Sequence, residues 1–321
     1  MSDRPIFVVG CPRSGTTMLQ LMLHAHPRIA LPPESRFLLP GYARRREFGD
    51  LGDPARRRAL GEWITRTAHF GDLGLEAEAV VEAITSAPPT LGSAFGTVFR
   101  MYAARFGKPR WGDKRPLYLR HLPTIRRLFP DAQIITIMRD GRDCVASLKE
   151  TPWSSGDLGE LIDVWARSAD NALRAARTLP GDTFHQVRYE DLVADPEPRL
   201  RRICEFLGEE YDPAMARPSE LAPVAVPEYK TWHALTRADV TTARVSSWQQ
   251  RLTGEEVARC EAVFGDRLTR FGYQLATDCH RTPRIRAVRT WLTVRDRIGP
   301  ARDRAETVRG RLRGPALAAR L

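Results

Sequence analysis

Val9-Gly10-Cys11-Pro12-Arg13-Ser14-Gly15-Thr16-Thr17 follows the apolar run Ile6-Phe7-Val8 and opens an amphipathic stretch of helical period. Strand, glycine-bearing loop and helix in that order form a turn in which backbone N–H groups and a helix N-terminus meet phosphate oxygens. The spacing of Gly10 and Gly15 fits the first part of G-x-x-x-x-G-K-[ST], but Thr16 stands at the lysine position and Thr17 follows it. Such a loop suits a single phosphate group better than a β,γ-phosphate pair with its magnesium. Arg13 brings a cation from inside the loop, and Ser14, Gly15, Thr16 and Thr17 complete the expected cradle.

A second anion site is expected further along. Ile134-Ile135-Thr136-Ile137-Met138 reads as a strand buried on both faces of a parallel sheet, and it runs directly into Arg139-Asp140-Gly141-Arg142-Asp143. This places Arg139 at the carboxyl end of the sheet, where open α/β folds bind ligands. Ser147, eight residues on and in the next helix, is expected to return to the same ligand. Two anion sites on neighbouring strands suit a nucleotide phosphorylated at both ends of its ribose.

On these motifs the chain resembles sulfotransferases that use 3'-phosphoadenosine 5'-phosphosulfate (PAPS), most nearly the tyrosylprotein branch. Pro12-Arg13-Ser14-Gly15-Thr16-Thr17 is similar to that family's 5'-phosphosulfate loop, and Arg139 with Ser147 to its 3'-phosphate motif. Leu21-Met22-Leu23-His24-Ala25-His26-Pro27, Glu34-Ser35-Arg36, Trp111-Gly112-Asp113-Lys114-Arg115-Pro116, Arg188-Tyr189-Glu190-Asp191-Leu192 and Ser247-Trp248 extend the likeness. The resemblance implies a sulfotransferase moving a sulfuryl group from PAPS to an acceptor hydroxyl, with adenosine 3',5'-bisphosphate as product and no metal. It makes Glu34 the catalytic base. Lys114 and Arg13 become the cations that steady the departing phosphate, and Tyr189 a neighbour of the ribose phosphate. Plainer readings stand beside these: Glu34 as a salt bridge to Arg36, Lys114 as a surface lysine, and Tyr189 as core. A P-loop kinase, with Asp140 holding magnesium, and a non-catalytic nucleotide-binding protein are the alternatives.

The order of patterns predicts an α/β fold, a P-loop-like parallel sheet flanked by helices, with a helical insertion at about 41–110 over the acceptor site. Strands are expected at 5–10, 133–138 and 183–188. Helices are expected at about 15–26, 117–129, 142–150, 158–178, 197–208 and 254–271, and Lys114 in a turn before a helix. One catalytic domain over 1–280 is followed by a basic tail over 281–321.

The formal net charge is +11, but that tail alone carries twelve arginines against three acidic residues, which leaves the catalytic part nearly neutral. Nucleic-acid binding by the core has no electrostatic footprint. Ile285, Val288, Trp291, Leu292 and Ile298 recur among arginines at helical spacing, so the tail either contacts an anionic membrane peripherally or packs on the domain. No apolar stretch approaches the ~20 residues of a spanning helix, and a cytoplasmic or membrane-peripheral location is expected. Five scattered cysteines form neither a disulfide framework nor a zinc site.

The acceptor is not encoded in any readable motif: a small molecule, a glycan or lipid, and a tyrosine side chain all stay open. Tyr42, Phe48, Trp63, Phe70, Phe95, Phe99 and Tyr102 either line its pocket or form the insertion's own core. His121, in Arg120-His121-Leu122-Pro123, is a rival base but reads as a helical residue; His24 and His26 read as packing and capping residues, and His233 as a weak nucleotide contact.

Overall fold

The computed structural model describes residues 3–152, 154, 156–221 and 240–277. The basic tail, His233 and Cys279 lie outside the described residues. The chain divides into two compact units, Met1–Leu252 and Thr253–Leu321.

The first unit is built on five parallel strands in the order β2-β3-β1-β4-β5. β1 (Ile6–Gly10) is central, buried along its whole length, and pairs with β3 (Arg110–Lys114) on one side and β4 (Gln133–Met138) on the other. β2 (Ile29–Ala30) and β5 (Phe184–Arg188) form the edges. After β1 the chain first builds one side of the sheet and later the other, the reversal that opens a crevice at the carboxyl ends of the strands.

The helices that cover this sheet have legible causes. α1 (Thr16–Ala25) follows the loop, and its apolar residues Leu19, Met22 and Leu23 join Ile6, Val8, Ile135 and Ile137 in one core. α2 (Leu38–Ala43), α3 (Pro54–Thr65), α4 (Ala77–Ser86) and α5 (Leu91–Ala104) make up the expected helical insertion. Asp53 caps α3 by accepting from Ala55 N, with Pro54 at the first position; Thr90 caps α5 by accepting from Ser93 N. α6 (Leu122–Leu128), α7 (Gly141–Lys149), α8 (Leu158–Thr178), α9 (Tyr189–Ala194), α10 (Pro196–Leu207) and α11 (Trp248–Arg251) follow. Phe37, Phe99 and Trp111 stack in sequence at centroid separations of 5.3 and 5.3 Å, Phe7 meets Trp111 edge to face at 6.4 Å, and the series ties the insertion to the sheet. Phe95, Phe99 and Tyr102 are fully buried there, so they are core.

The second unit contains α12 (Gly254–Phe264), closed by a Thr253/Glu256 capping box, and α13 (Asp266–Arg270). Glu261 accepts from Ala276 N, Thr277 N and Thr277 Oγ1, which folds the following segment back on α12.

Three expectations need correction. Lys114 is the last residue of β3, not part of a turn: Trp111-Gly112-Asp113-Lys114 lacks an apolar signature, yet pairing with β1 on one side and β2 on the other holds it extended. The helix expected at 117–129 is a 3-10 turn, Pro116–Arg120, followed by α6; Pro123, with no N–H to donate, sits at the start of the restarted helix. The helix expected at 254–271 breaks at Gly265, whose φ of 49° leaves the helical region.

Candidate active site

The parallel register brings four of the expected side chains to one edge. Arg13 follows β1, Lys114 ends β3, Arg139 follows β4 and Tyr189 follows β5.

The loop after β1 is tightly folded. Ser14 is fully buried, and both its N and its Oγ donate to Cys11 O, at 3.1 and 2.7 Å. Its hydroxyl therefore braces the loop and is not aimed outward. Arg13 has φ 69° and Gly15 φ 98°, so two residues of the loop are left-handed. For Gly15 this is obligatory on a second ground, because a Cβ there would lie 2.7 Å from Tyr189 Cδ2. α1 then begins at Thr16 with no side-chain cap, leaving its first N–H groups without intrahelical partners.

Arg13 Nε donates to Ser147 Oγ at 2.9 Å, which joins the loop to α7. Arg139 Nη1 donates to Arg13 O at 3.2 Å, Nη2 donates to Arg244 O, and the guanidinium lies 4.7 Å from the centre of the Tyr189 ring. Its Nε is buried without a hydrogen-bond partner, an orphaned donor of the kind an anion satisfies. Burial, together with repulsion from Arg139, Arg251 and Arg244, pushes Arg13 below its ordinary value; only Cys144 works the other way. Arg139 is raised instead: burial works against it, but Cys144, Asp143, Tyr189 and Glu190 outweigh burial.

Asp143, one turn into α7, was not singled out from the sequence. Its Oδ1 accepts from Ser247 Oγ at 2.9 Å and Trp248 N at 2.8 Å, and its Oδ2 lies 3.6 Å from Arg139 Nη2. It thus ties the Ser247-Trp248 segment beside the two arginines. Asp140 is committed elsewhere: Oδ1 accepts from Arg142 N and Nε, and Oδ2 from Arg142 Nη2 at 2.6 Å. A kinase would need that carboxylate for magnesium.

Glu34 and Lys114 meet beside the loop. Lys114 Nζ donates to Glu34 Oε1 at 2.8 Å and to Thr17 Oγ1 at 3.2 Å. Glu34 Oε2 lies 3.4 Å from Arg36 Nε, so the salt bridge to Arg36 exists together with the pairing to Lys114. Lys114, with a side chain 3% exposed, is no surface residue, while Glu34 is open at 17%. A cation from a neighbouring strand thus lies against Thr17, just after the phosphate loop.

The histidines fall into structural places. His24 Nδ1 accepts from Leu31 N at 3.1 Å, and burial, then Lys108, lowers its pKa to about 3. His26 bonds Glu210 O and accepts from Arg28 N. His121 is exposed between the 3-10 turn and α6. Among the described residues no group of three or more His, Cys, Asp or Glu is placed to hold a metal ion, and no helix is long and apolar enough to cross a membrane.

Comparison with known proteins points to one family. Residues 5–213 match the sulfotransferase family. A putative protein-tyrosine sulfotransferase of Caenorhabditis briggsae is 28% identical over 77% of this chain and 81% of its own. The nodulation protein NoeE of Sinorhizobium fredii is 29% identical over 84% of this chain and 65% of its own. The sulfotransferase domain of the curacin biosynthetic pathway superposes with a TM-score of 0.60 at 22% identity, over 85% of this chain and 99% of that domain. The phosphate loop, the parallel sheet and the matched residues together place this chain in the sulfotransferase family, as an enzyme of that family.

Proposed function

We propose that the enzyme transfers a sulfuryl group from PAPS to an acceptor hydroxyl and releases adenosine 3',5'-bisphosphate. The observation that carries this reading is the convergence of Arg13, Ser147 and Arg139 at one strand edge, beside the Glu34/Lys114 pair at 2.8 Å. Arg139, with its unsatisfied Nε, and Ser147 fit the 3'-phosphate; Arg13, Gly15, Thr16 and Thr17 fit the 5'-phosphosulfate. Ser14 contributes by holding the loop in shape.

Glu34 takes the proton of the acceptor hydroxyl while that oxygen attacks sulfur in line. The new O–S bond forms as the bond between sulfur and the phosphate oxygen breaks. Lys114 and Arg13 offset the negative charge that collects on the departing phosphate. For Glu34 to accept a proton, Lys114 must turn from the carboxylate toward the bridging oxygen, a short swing because Thr17 already shares its ammonium.

The acceptor class is a hydroxyl, and the names of the relatives favour a phenol such as tyrosine among the possibilities. Cys11, Cys144 and Cys204 are buried thiols among the described residues, which is in keeping with a reducing compartment such as the cytoplasm.

Calorimetric titration with adenosine 3',5'-bisphosphate in EDTA, beside ATP with and without magnesium, tests the reading. Metal-independent binding of the bisphosphate in preference to ATP is expected. Magnesium-dependent ATP binding with no bisphosphate signal overturns it.

A further inference from the structure

Glu34 sits in a segment without regular structure, between β2 and α2. A general base on a loop must still be held within about half an ångström to act, so something has to lock that segment. On its N-terminal side Gln20 Nε2 donates to Pro32 O at 2.6 Å and His24 Nδ1 accepts from Leu31 N. On its C-terminal side Arg36 is left-handed at φ 56°, and Phe37 is buried against Phe99. Between these anchors one side chain grips the segment next to Glu34 itself. Ser35 Oγ donates to Asp113 Oδ2 at 3.2 Å.

Asp113 is fully buried in β3, directly before Lys114. Its Oδ2 also accepts from Tyr118 OH at 2.6 Å, and its Oδ1 accepts from Lys114 N at 2.9 Å. Among the described residues it makes no ion pair, so three hydrogen bonds alone compensate a carboxylate taken wholly out of water. Burial accordingly raises its pKa to about 6, against the three hydrogen bonds, with Glu34 adding to the rise. An acceptor-only group at such cost, bonded at once to the neighbour of Glu34 and to the backbone of Lys114, has a geometric purpose.

We propose that Asp113 is a positioning residue for sulfuryl transfer, clamping Ser35 to the end of β3 so that Glu34 and Lys114 face each other across the reaction centre. The proposal rests on the assignment of Glu34 as base and Lys114 as leaving-group cation made above. Asp113 touches neither donor nor acceptor. Through Ser35 it sets the base, through Lys114 N the cation, and Tyr118 fixes the carboxylate's own orientation.

The test uses the full chain and labelled PAPS with water as acceptor, read as release of inorganic sulfate, so no acceptor has to be assumed. Ser35→Ala is expected to lower kcat about tenfold with KM for PAPS and affinity for the bisphosphate within about threefold of wild type. Ser35→Thr, which keeps the hydroxyl, is expected to restore kcat to within about twofold. Asp113→Asn is expected to lower kcat at least as much; since it disturbs a buried site, Ser35→Ala carries the decision if it unfolds. Added to Glu34→Ala, Ser35→Ala is expected to cost nothing more, because its effect runs through the base. Wild-type kcat in Ser35→Ala, or an equal loss on the Glu34→Ala background, overturns the clamp while leaving the base in place. Wild-type kcat in Glu34→Ala alone removes the base and with it the object of the clamp.

Discussion

The donor side and the base side of the site are built in opposite ways. The donor side draws on contiguous sequence: the nine residues from Val9 to Thr17 and the nine from Arg139 to Ser147 supply its loop, its helix N-terminus and its cations. The base side is assembled from Thr17, Glu34 and Lys114, with Lys114 lying 97 and 80 positions from its two partners. Local chemistry shapes each half of the first before long-range bonds such as Arg13 to Ser147 join the halves, whereas the second exists only through long-range contacts. The donor side should therefore fail in binding and the base side in turnover.

The largest break in that comparison is Glu34→Ala. Removing a positioned base should reduce sulfate transfer by roughly 100- to 10,000-fold, while titration finds bisphosphate affinity within about threefold of wild type. Near-normal transfer would move the proton acceptor elsewhere. Arg139→Ala should show the reverse pattern. Loss of charge-assisted hydrogen bonds worth ~1.5–3 kcal/mol corresponds to roughly 10- to 150-fold weaker bisphosphate binding, and unchanged affinity would take Arg139 out of the site.

Gly15→Ala tests whether the loop tolerates any change of backbone. A methyl group at φ 98°, 2.7 Å from Tyr189 Cδ2, should cost on the order of 1–3 kcal/mol of stability and weaken the bisphosphate at the same time. Denaturant unfolding that matches wild type would show that Tyr189 yields.

The most gradual effect is spread over pH and concerns the base side alone. His24 holds Leu31 N as a neutral imidazole, and its pKa is lowered to about 3, by burial first. The unfolded chain binds a proton at this histidine near its ordinary value of 6.5 and the folded chain does not, so stability falls as pH drops from about 6.5 toward 3. The loss from this residue should reach at most ~1.4 kcal/mol per pH unit. His24→Asn, which keeps an acceptor and loses the titration, should flatten that limb in unfolding curves measured between pH 4 and 7. An unchanged slope would assign the acid lability to other groups.

How much of this was legible depends on where the information lies. β4 is where its apolar run puts it, at 133–138, and α8 spans the 158–178 that its amphipathic period predicts. β3 was missed because Arg110-Trp111-Gly112-Asp113-Lys114 has the composition of a turn; the neighbouring strands and the packing of Trp111 against Phe99 and Phe129 make it a strand. Asp113 went unnoticed for the same reason: nothing in a sequence distinguishes a carboxylate at zero exposure from one in solvent. Nor does a sequence show that Ser14, expected in the cradle, has its hydroxyl bonded to Cys11 O within the loop itself.

By itself the sequence determined the phosphate loop, the second anion motif and the parallel α/β class, because each rests on backbone geometry and side-chain period over fewer than a dozen residues. Only the tertiary structure decided that Lys114 lies beside Thr17, that Glu34 pairs with it and where Asp140 spends its charge. Those are questions of proximity between distant residues, and the parallel register answers them by ending β1, β3, β4 and β5 at one edge of the sheet.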